Sequence, residues 1–112
     1  MKENENEYIR GQTRQIRMIF GRNLKRLREK AKFSQVDLAL ESGITHNFIN
    51  DIEHAKRGVS LDTIAKLSEA LDVSPHAFFI VDEDLLEKEL TPYPEHIDTL
   101  LKAVEDFRSH YE

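Results

Sequence analysis

No cysteine occurs among the 112 residues of the chain. That excludes disulfides and thiolate metal sites, and a reducing cytoplasm is the expected setting. Long apolar runs are missing as well. The longest, residues 77–81, is far short of the roughly 20 residues that a membrane-spanning helix requires. Residues 1–7 hold no apolar stretch of the signal-peptide kind and are expected to be disordered. A soluble chain with no membrane partner is therefore expected. Alternation of strand period is absent over any useful length and no segment repeats, which leaves an all-α fold. Glycine-rich phosphate loops, nucleophile elbows and helices bearing paired metal-binding histidines are also lacking. Catalysis is not expected, and no cofactor is implied.

Five histidines are present, but their spacing does not suit a metal. His46 and His54 fall on one predicted helix, separated by about 12 Å at a rise of about 1.5 Å per residue, too far to share an ion. His76, His96 and His110 lie on separate elements without carboxylates at ligand spacing. No metal site is expected.

What the chain does have is charge, unevenly placed. Apolar residues make up 39% and charged residues 33%, the balance of a small globular domain with an appended tail rather than of a disordered chain. The net charge of −5 conceals a gradient, since residues 1–33 carry +6, residues 34–60 carry −2 and residues 61–112 carry −9. Charges separated by more than about 8–10 Å are largely screened at physiological salt, so the field at a docking face matters more than the total. The basic segment reads either as a solvated helix face or as a face for phosphates. Its position just before the motif described next favours the second.

From about residue 13 to 31, Ile16, Phe20, Leu24, Leu27 and Ala31 recur at steps of three and four, one apolar face of an amphipathic helix. Gly21 inside it lowers helix propensity by up to about 1 kcal/mol and points to close packing or a bend. Further helices are predicted at about 35–41, 45–54 and 61–71, the last capped by Ser60 and lined by Leu61, Ile64, Leu67, Ala70 and Leu71. Ser74-Pro75 opens a short helix through Phe78 and Phe79. Residues 1–12 are expected to form a flexible N-terminal arm, 13–81 the folded domain, and 82–112 a linker followed by a C-terminal amphipathic helix over about 95–110.

The most specific pattern lies in residues 33–53. Ser34 can cap a helix, with Asp37 three residues on as a variant capping box. Gly43 marks a tight turn and Thr45 can cap the next helix. Leu38, Ile44, Ile49 and Ile52 face inward, and Ala39 is small where two helix axes would meet. Two crossed helices joined by a short glycine turn form a helix-turn-helix, which offers its second helix to the DNA major groove.

Residues 16–80 resemble the helix-turn-helix domain of the phage-repressor and Cro family, the xenobiotic-response-element group. The resemblance is carried by Ser34-Gln35, Leu38-Ala39, Gly43-Ile44-Thr45, Ile49, Ile52-Glu53, Lys56-Arg57, Ser60-Leu61 and Leu71-Asp-Val-Ser74. Each piece is weak alone, and together they are specific. The resemblance implies a five-helix lambda-repressor-like domain in which His46, Asn47, Asn50 and Asp51 face the bases. Asn suits adenine, Asp suits the cytosine amine, and His can donate to guanine. It also implies phosphate contacts from Lys25, Gln35, Thr45, Lys56, Arg57 and Ser60, and a structural ion pair between Arg28 and Glu53. Phe48 could lie at the DNA rim or in the core. One departure is Ala55, where the family often ends the third helix with Gly, so a different path for the exit loop is expected.

The final predicted helix carries Ile97, Leu100, Leu101, Val104 and Phe107 on one stripe. That stripe can fold back on the domain or dock on a second subunit. With Phe78 and Phe79 it is the expected dimer or partner surface. The chain is thus read as a sequence-specific regulator of transcription that binds double-stranded DNA. The expected form is a homodimeric repressor on a palindromic operator, with helix 45–54 in the major groove and control through abundance or a regulatory protein partner. The rival reading is an antitoxin that regulates its own promoter and holds a toxin protein. A protein-interaction module without DNA binding is disfavoured by Gln35, Thr45 and the polar reading face.

Overall fold

The computed structural model of the chain describes residues 2–81, 101–106 and 108. Four α-helices, α1 (Lys2–Lys30), α2 (Gln35–Ser42), α3 (His46–Glu53) and α4 (Leu61–Leu71), precede a 3₁₀ helix at Pro75–Phe79. The chain divides into two compact units, Met1–Ile80 and Val81–Glu112. In the second unit residues 101–106 are helical, with Leu101 and Val104 half-buried and Lys102, Ala103, Glu105 and Asp106 exposed. Ile97, Leu100 and Phe107 lie outside the described residues.

The first unit is organised by apolar residues that each helix presents at helical spacing. Phe20, Leu24 and Leu27 of α1 meet Leu38 of α2, Ile49 and Ile52 of α3, Leu67 and Leu71 of α4, and Phe78. Helix α1 packs on α3 and on the 3₁₀ helix, while α2 packs on α3 and α4. The rings of Phe20 and Phe78 stack with centroids 4.8 Å apart. Phe78 is fully buried, so its expected place on a dimer surface is corrected: it is a core residue. Phe79 remains 44% exposed and meets Phe20 edge-on. Two positions read as inward are also corrected, for Ile16 is 52% and Leu61 84% exposed. Each sits in the first turn beyond the packed part of its stripe. Ala31 is exposed, past the end of α1.

Helix α1 begins far earlier than expected. Residues 2–12, read as an unstructured arm, are helical. Helix extension adds a hydrogen bond per residue without a new nucleation cost, so the packed segment from Phe20 to Leu27 can carry polar turns on its N-terminal side. At the other end, Arg28 and Lys30 in the last turn complement the negative end of the helix dipole. Thr13 returns its hydroxyl to the Ile9 carbonyl at 2.8 Å.

The caps follow the sequence closely. Ser34 and Asp37 form a reciprocal capping box on α2. The Ser34 backbone N–H and then its hydroxyl hold the Asp37 carboxyl below its ordinary value. This contribution is present above the ordinary carboxylate range and lost as pH falls through the lowered value. Thr45 and Ser60 accept from the N–H groups of Phe48 and Thr63. The helix ends use few glycines. Gly43 ends α2 at φ 73°, but Lys32, Ala55 and Asp72 take the same left-handed region at φ 62°, 59° and 54°. After α3, Ala55 donates to the Ile52 carbonyl and Lys56 to that of Asp51, the pair of bonds of a Schellman ending. The expected different path for this loop is corrected: Ala55 adopts the conformation that a glycine would take.

At Gly21, α1 lies against the main chain at the end of α3. A Cβ there would stand 2.3 Å from the Ile52 carbonyl oxygen and 3.0 Å from that of Glu53. Both are main-chain atoms, so the helices themselves would have to move. Gly21→Ala should lower stability by about 2 kcal/mol, overpacking of up to about 3 kcal/mol outweighing about 1 kcal/mol of gained propensity. Ala55→Gly should raise stability by about 1 kcal/mol, because the left-handed cost of about 1–2 kcal/mol exceeds the added chain entropy. Thermal unfolding checks both, at roughly 4–8 °C per kcal/mol for a domain of this size. A stable Gly21→Ala chain would contradict the close approach.

Candidate nucleic-acid interface

Helix α3 presents two faces. Ile49 and Ile52 are buried in the core, and Phe48 packs partly against it. His46, Asn47, Asn50 and Asp51 fall on the opposite side, since His46 and Asn50, like Asn47 and Asp51, are about one turn apart. At about 100° per residue the four span an arc of roughly 140° facing away from Ile49 and Ile52. His46 and Asn47 are exposed, while Asn50 and Asp51 are half-buried. The four expected base-facing residues are therefore brought together on one surface.

The face is held by a chain of polar contacts beneath it. Arg28 on α1 makes a two-pronged bond to Glu53, Nε to Oε2 at 2.7 Å and a terminal nitrogen to Oε1 at 3.0 Å. Its other terminal nitrogen donates to the Phe33 carbonyl at 2.9 Å. The side chains of Arg28 and Glu53 are only 11% and 2% exposed. The hydrogen bonds that Arg28 donates to Glu53, partly offset by burial and aided by the Glu53 charge, hold the guanidinium pKa above its ordinary value. This is the ion pair that the resemblance implied.

Gln35 opens α2 as expected, and its side chain is engaged within the protein. Its amide nitrogen donates to Asn50 Oδ1 at 3.2 Å and to Glu53 Oε1 at 3.1 Å, and its oxygen meets His46 Nε2 at 2.9 Å. An amide oxygen can only accept, so His46 Nε2 carries the proton in this contact. Both amide donors are engaged inside the protein, and Gln35 here links α2 to both ends of α3. Asn50 and His46 are oriented by it, while Asn47 stands outside the network.

The cationic residues expected to meet phosphates are exposed. Lys25, Lys56 and Arg57 all reach solvent, and the Thr45 and Ser60 hydroxyls sit at helix N-termini as caps. Arg57 is not independent of the reading face, for its Nε lies 3.3 Å from Asp51 Oδ2. Its guanidinium also lies over the Phe48 ring, 5.4 Å from the centroid. Phe48 thus packs against the core on one side and carries the Arg57 guanidinium on the other. Among the described residues no cluster of His, Asp and Glu is arranged to hold a metal. None of the helices described is long and apolar enough to cross a membrane.

One structural residue escaped the sequence reading. Asn23 is buried and donates to the carbonyls of Phe78 and Ile80 at 2.9 and 2.8 Å, while accepting from Arg26 at 3.1 Å. It ties the end of the 3₁₀ helix to α1. The signal was available, since Asn23 interrupts the apolar stripe between Phe20 and Leu27, where a polar residue must find partners.

Two crossed helices with one polar face outward, fixed to a long first helix, define a helix-turn-helix protein. The family model HTH_3, described as helix-turn-helix, matches residues 24–78. Control protein C.BamHI of Bacillus amyloliquefaciens is 44% identical over 64 residues, 56% of this chain and 79% of that protein. The immunity repressor protein of Bacillus phage phi105 is 27% identical over 96 residues, 85% of this chain and 66% of that one. The crystal structure of the restriction-modification controller protein C.AhdI from Aeromonas hydrophila matches with a TM-score of 0.55 at 38% identity, covering 56% of this chain and 96% of that one. The chain belongs to this helix-turn-helix family of DNA-binding transcription regulators, of the Cro/C1 type.

Glu53 is the acceptor on which Arg28 and Gln35 converge. Glu53→Ala should cost about 3–5 kcal/mol, since it strands a nearly buried guanidinium. Replacing both partners, Arg28→Met with Glu53→Leu, should recover a large part of that loss. Urea unfolding of the two variants measures the difference, and equal losses would contradict the stranded-charge account.

Proposed function

We propose that the chain is a repressor that binds double-stranded DNA sequence-specifically as a homodimer on a palindromic operator. Helix α3 lies in the major groove, with Asn47 as the principal base reader and His46, Asn50 and Asp51 beside it. The observation that carries this reading is the exposed polar face of α3 held in place by the Arg28–Glu53–Gln35 network. A reading helix fixed on its buried side presents its donors and acceptors in one geometry, which is what discrimination between bases requires. Similarity to a control protein, an immunity repressor and a restriction-modification controller supports transcription control.

Lys25, Lys56 and Arg57 supply charge for phosphates, and the N-termini capped by Thr45 and Ser60 face the same backbone. Gln35 acts as a positioning residue for His46 and Asn50 rather than as a phosphate ligand. Asp51 approaches DNA as a partner of Arg57. That pairing offsets its repulsion from phosphates and leaves its second oxygen for a cytosine amine. A single domain of this size makes few contacts, and two-fold pairing on half-sites about 34–36 Å apart multiplies them. The stripe carrying Ile97, Leu100, Leu101, Val104 and Phe107 is the proposed pairing surface, which a regulatory protein could also occupy.

Selection from random DNA should return a palindrome. Asn47→Ala and Asp51→Ala should then each reduce preference for it over random DNA by about 1–3 kcal/mol. Lys25→Ala and Lys56→Ala should weaken all sequences alike and reduce the salt slope by about one. Unchanged specificity in the first pair would remove them as readers. Light scattering should find a dimer for the full chain and a monomer for a chain ending at Val81. A dimer that survives the truncation would place the interface in the first unit.

A further inference from the structure

We propose that a pocket in the first unit binds a small apolar carboxylic acid, and that the acid weakens operator binding through Arg57. The regulatory half of this rests on the DNA-binding reading above, whereas binding of the acid does not. The pocket has a volume of about 270 Å³ and lies between α1, the loop after α3, α4 and the 3₁₀ helix. That is close to the lower end of the roughly 300–1,000 Å³ typical of small-molecule sites, so it suits a compact ligand. Ile16, Ile64 and Phe79 give it apolar walls, and Arg17 and Arg57 give it positive charge.

Three observations select an anion with an apolar body. Ile16 and Phe79 remain 52% and 44% exposed at the pocket, apolar surface that a ligand body can cover. The Arg17 Nε is buried without a hydrogen-bond acceptor. A buried guanidinium donor left unmade is costly, and a carboxylate is the partner that its geometry matches. Gly58 leaves the space beside that nitrogen open, since even a Cβ there would stand 3.8 Å from Nε.

The pocket is joined to the reading face by one side chain. Arg57 lines the pocket and is also the ion-pair partner of Asp51, at 3.3 Å. The pair is exposed, a kind worth only about 0–1 kcal/mol. A carboxylate in the pocket competes for the guanidinium and leaves the Asp51 charge uncompensated at the DNA. Operator affinity then falls by up to about fivefold, the ratio that corresponds to the strength of such a pair.

Phenylacetate serves as the probe and phenylacetamide as its neutral control, titrated into the full chain without DNA and followed by NMR. Saturable shifts are expected at Ile16, Ile64, Phe79 and the Arg17 Nε–H, with the amide at least tenfold weaker. Arg17→Met removes the donor, and Gly58→Asp places a resident carboxylate beside it. Each should abolish binding while the melting temperature shows the chain still folded. Absence of saturable shifts, equal binding of the amide, or wild-type binding by both variants would overturn the site. Operator affinity, read by fluorescence anisotropy with and without saturating phenylacetate, tests the coupling separately. Unchanged affinity would overturn the regulatory half alone, and no operator binding in the absence of the acid would instead refute the DNA-binding reading.

Discussion

The Arg28–Glu53 ion pair fixes where the third helix stands. Glu53 is the last residue of α3 and is all but removed from solvent, so its carboxylate needs donors from the protein. Arg28 supplies two and Gln35 a third. Because those donors come from α1 and α2, satisfying one carboxylate fixes three helices against one another. Such a pair adds little net stability over apolar packing, yet its geometry is far more specific than that of aliphatic contacts. Gln35 then extends the constraint to the surface, through His46 and Asn50. The interior electrostatics and the outward face of α3 are one connected system.

The same two helices meet main chain to main chain at Gly21. Gly21 removes the side chain that would otherwise separate them, and the main chain of Ile52 and Glu53 occupies the space. The glycine weakens an isolated helix and strengthens the assembled domain. Elsewhere the chain does without glycine where it is commonly found. Lys32, Ala55 and Asp72 all end helices in the left-handed region. The hydrogen bonds that close each ending, together with core packing on either side, offset the conformational cost.

The reading face combines fixed and adjustable elements. His46 and Asn50 are oriented from below, Asn47 is exposed, and Asp51 is shared with an exposed arginine. A site built this way keeps its register while leaving one charge balance open to change. Arg57 is placed to set that balance, because the same guanidinium meets Asp51, covers Phe48 and borders the pocket beside Arg17.

Most of the fold was legible in the chain itself. The caps at Ser34, Thr45 and Ser60, the turn at Gly43 and the stripe Phe20–Leu24–Leu27 are local features, and their short-range physics determines helix positions directly. The grouping of His46, Asn47, Asn50 and Asp51 was legible for the same reason, since spacing along one helix decides a shared face. Length of α1 was not, because polar turns propagate from a packed segment and carry no pattern of their own. Nor was the burial of Phe78 beside an exposed Phe79, which depends on Phe20 and on Asn23 gripping the chain at Phe78 and Ile80. Gln35 is the clearest case. Its type and position suggest a phosphate ligand, but only the meeting of α2 with α3 shows its amide taken by Asn50, Glu53 and His46. Sequence by itself determined the elements and the chemistry offered on each. Tertiary structure alone decided which polar groups face one another, because that depends on distances between helices far apart in the chain.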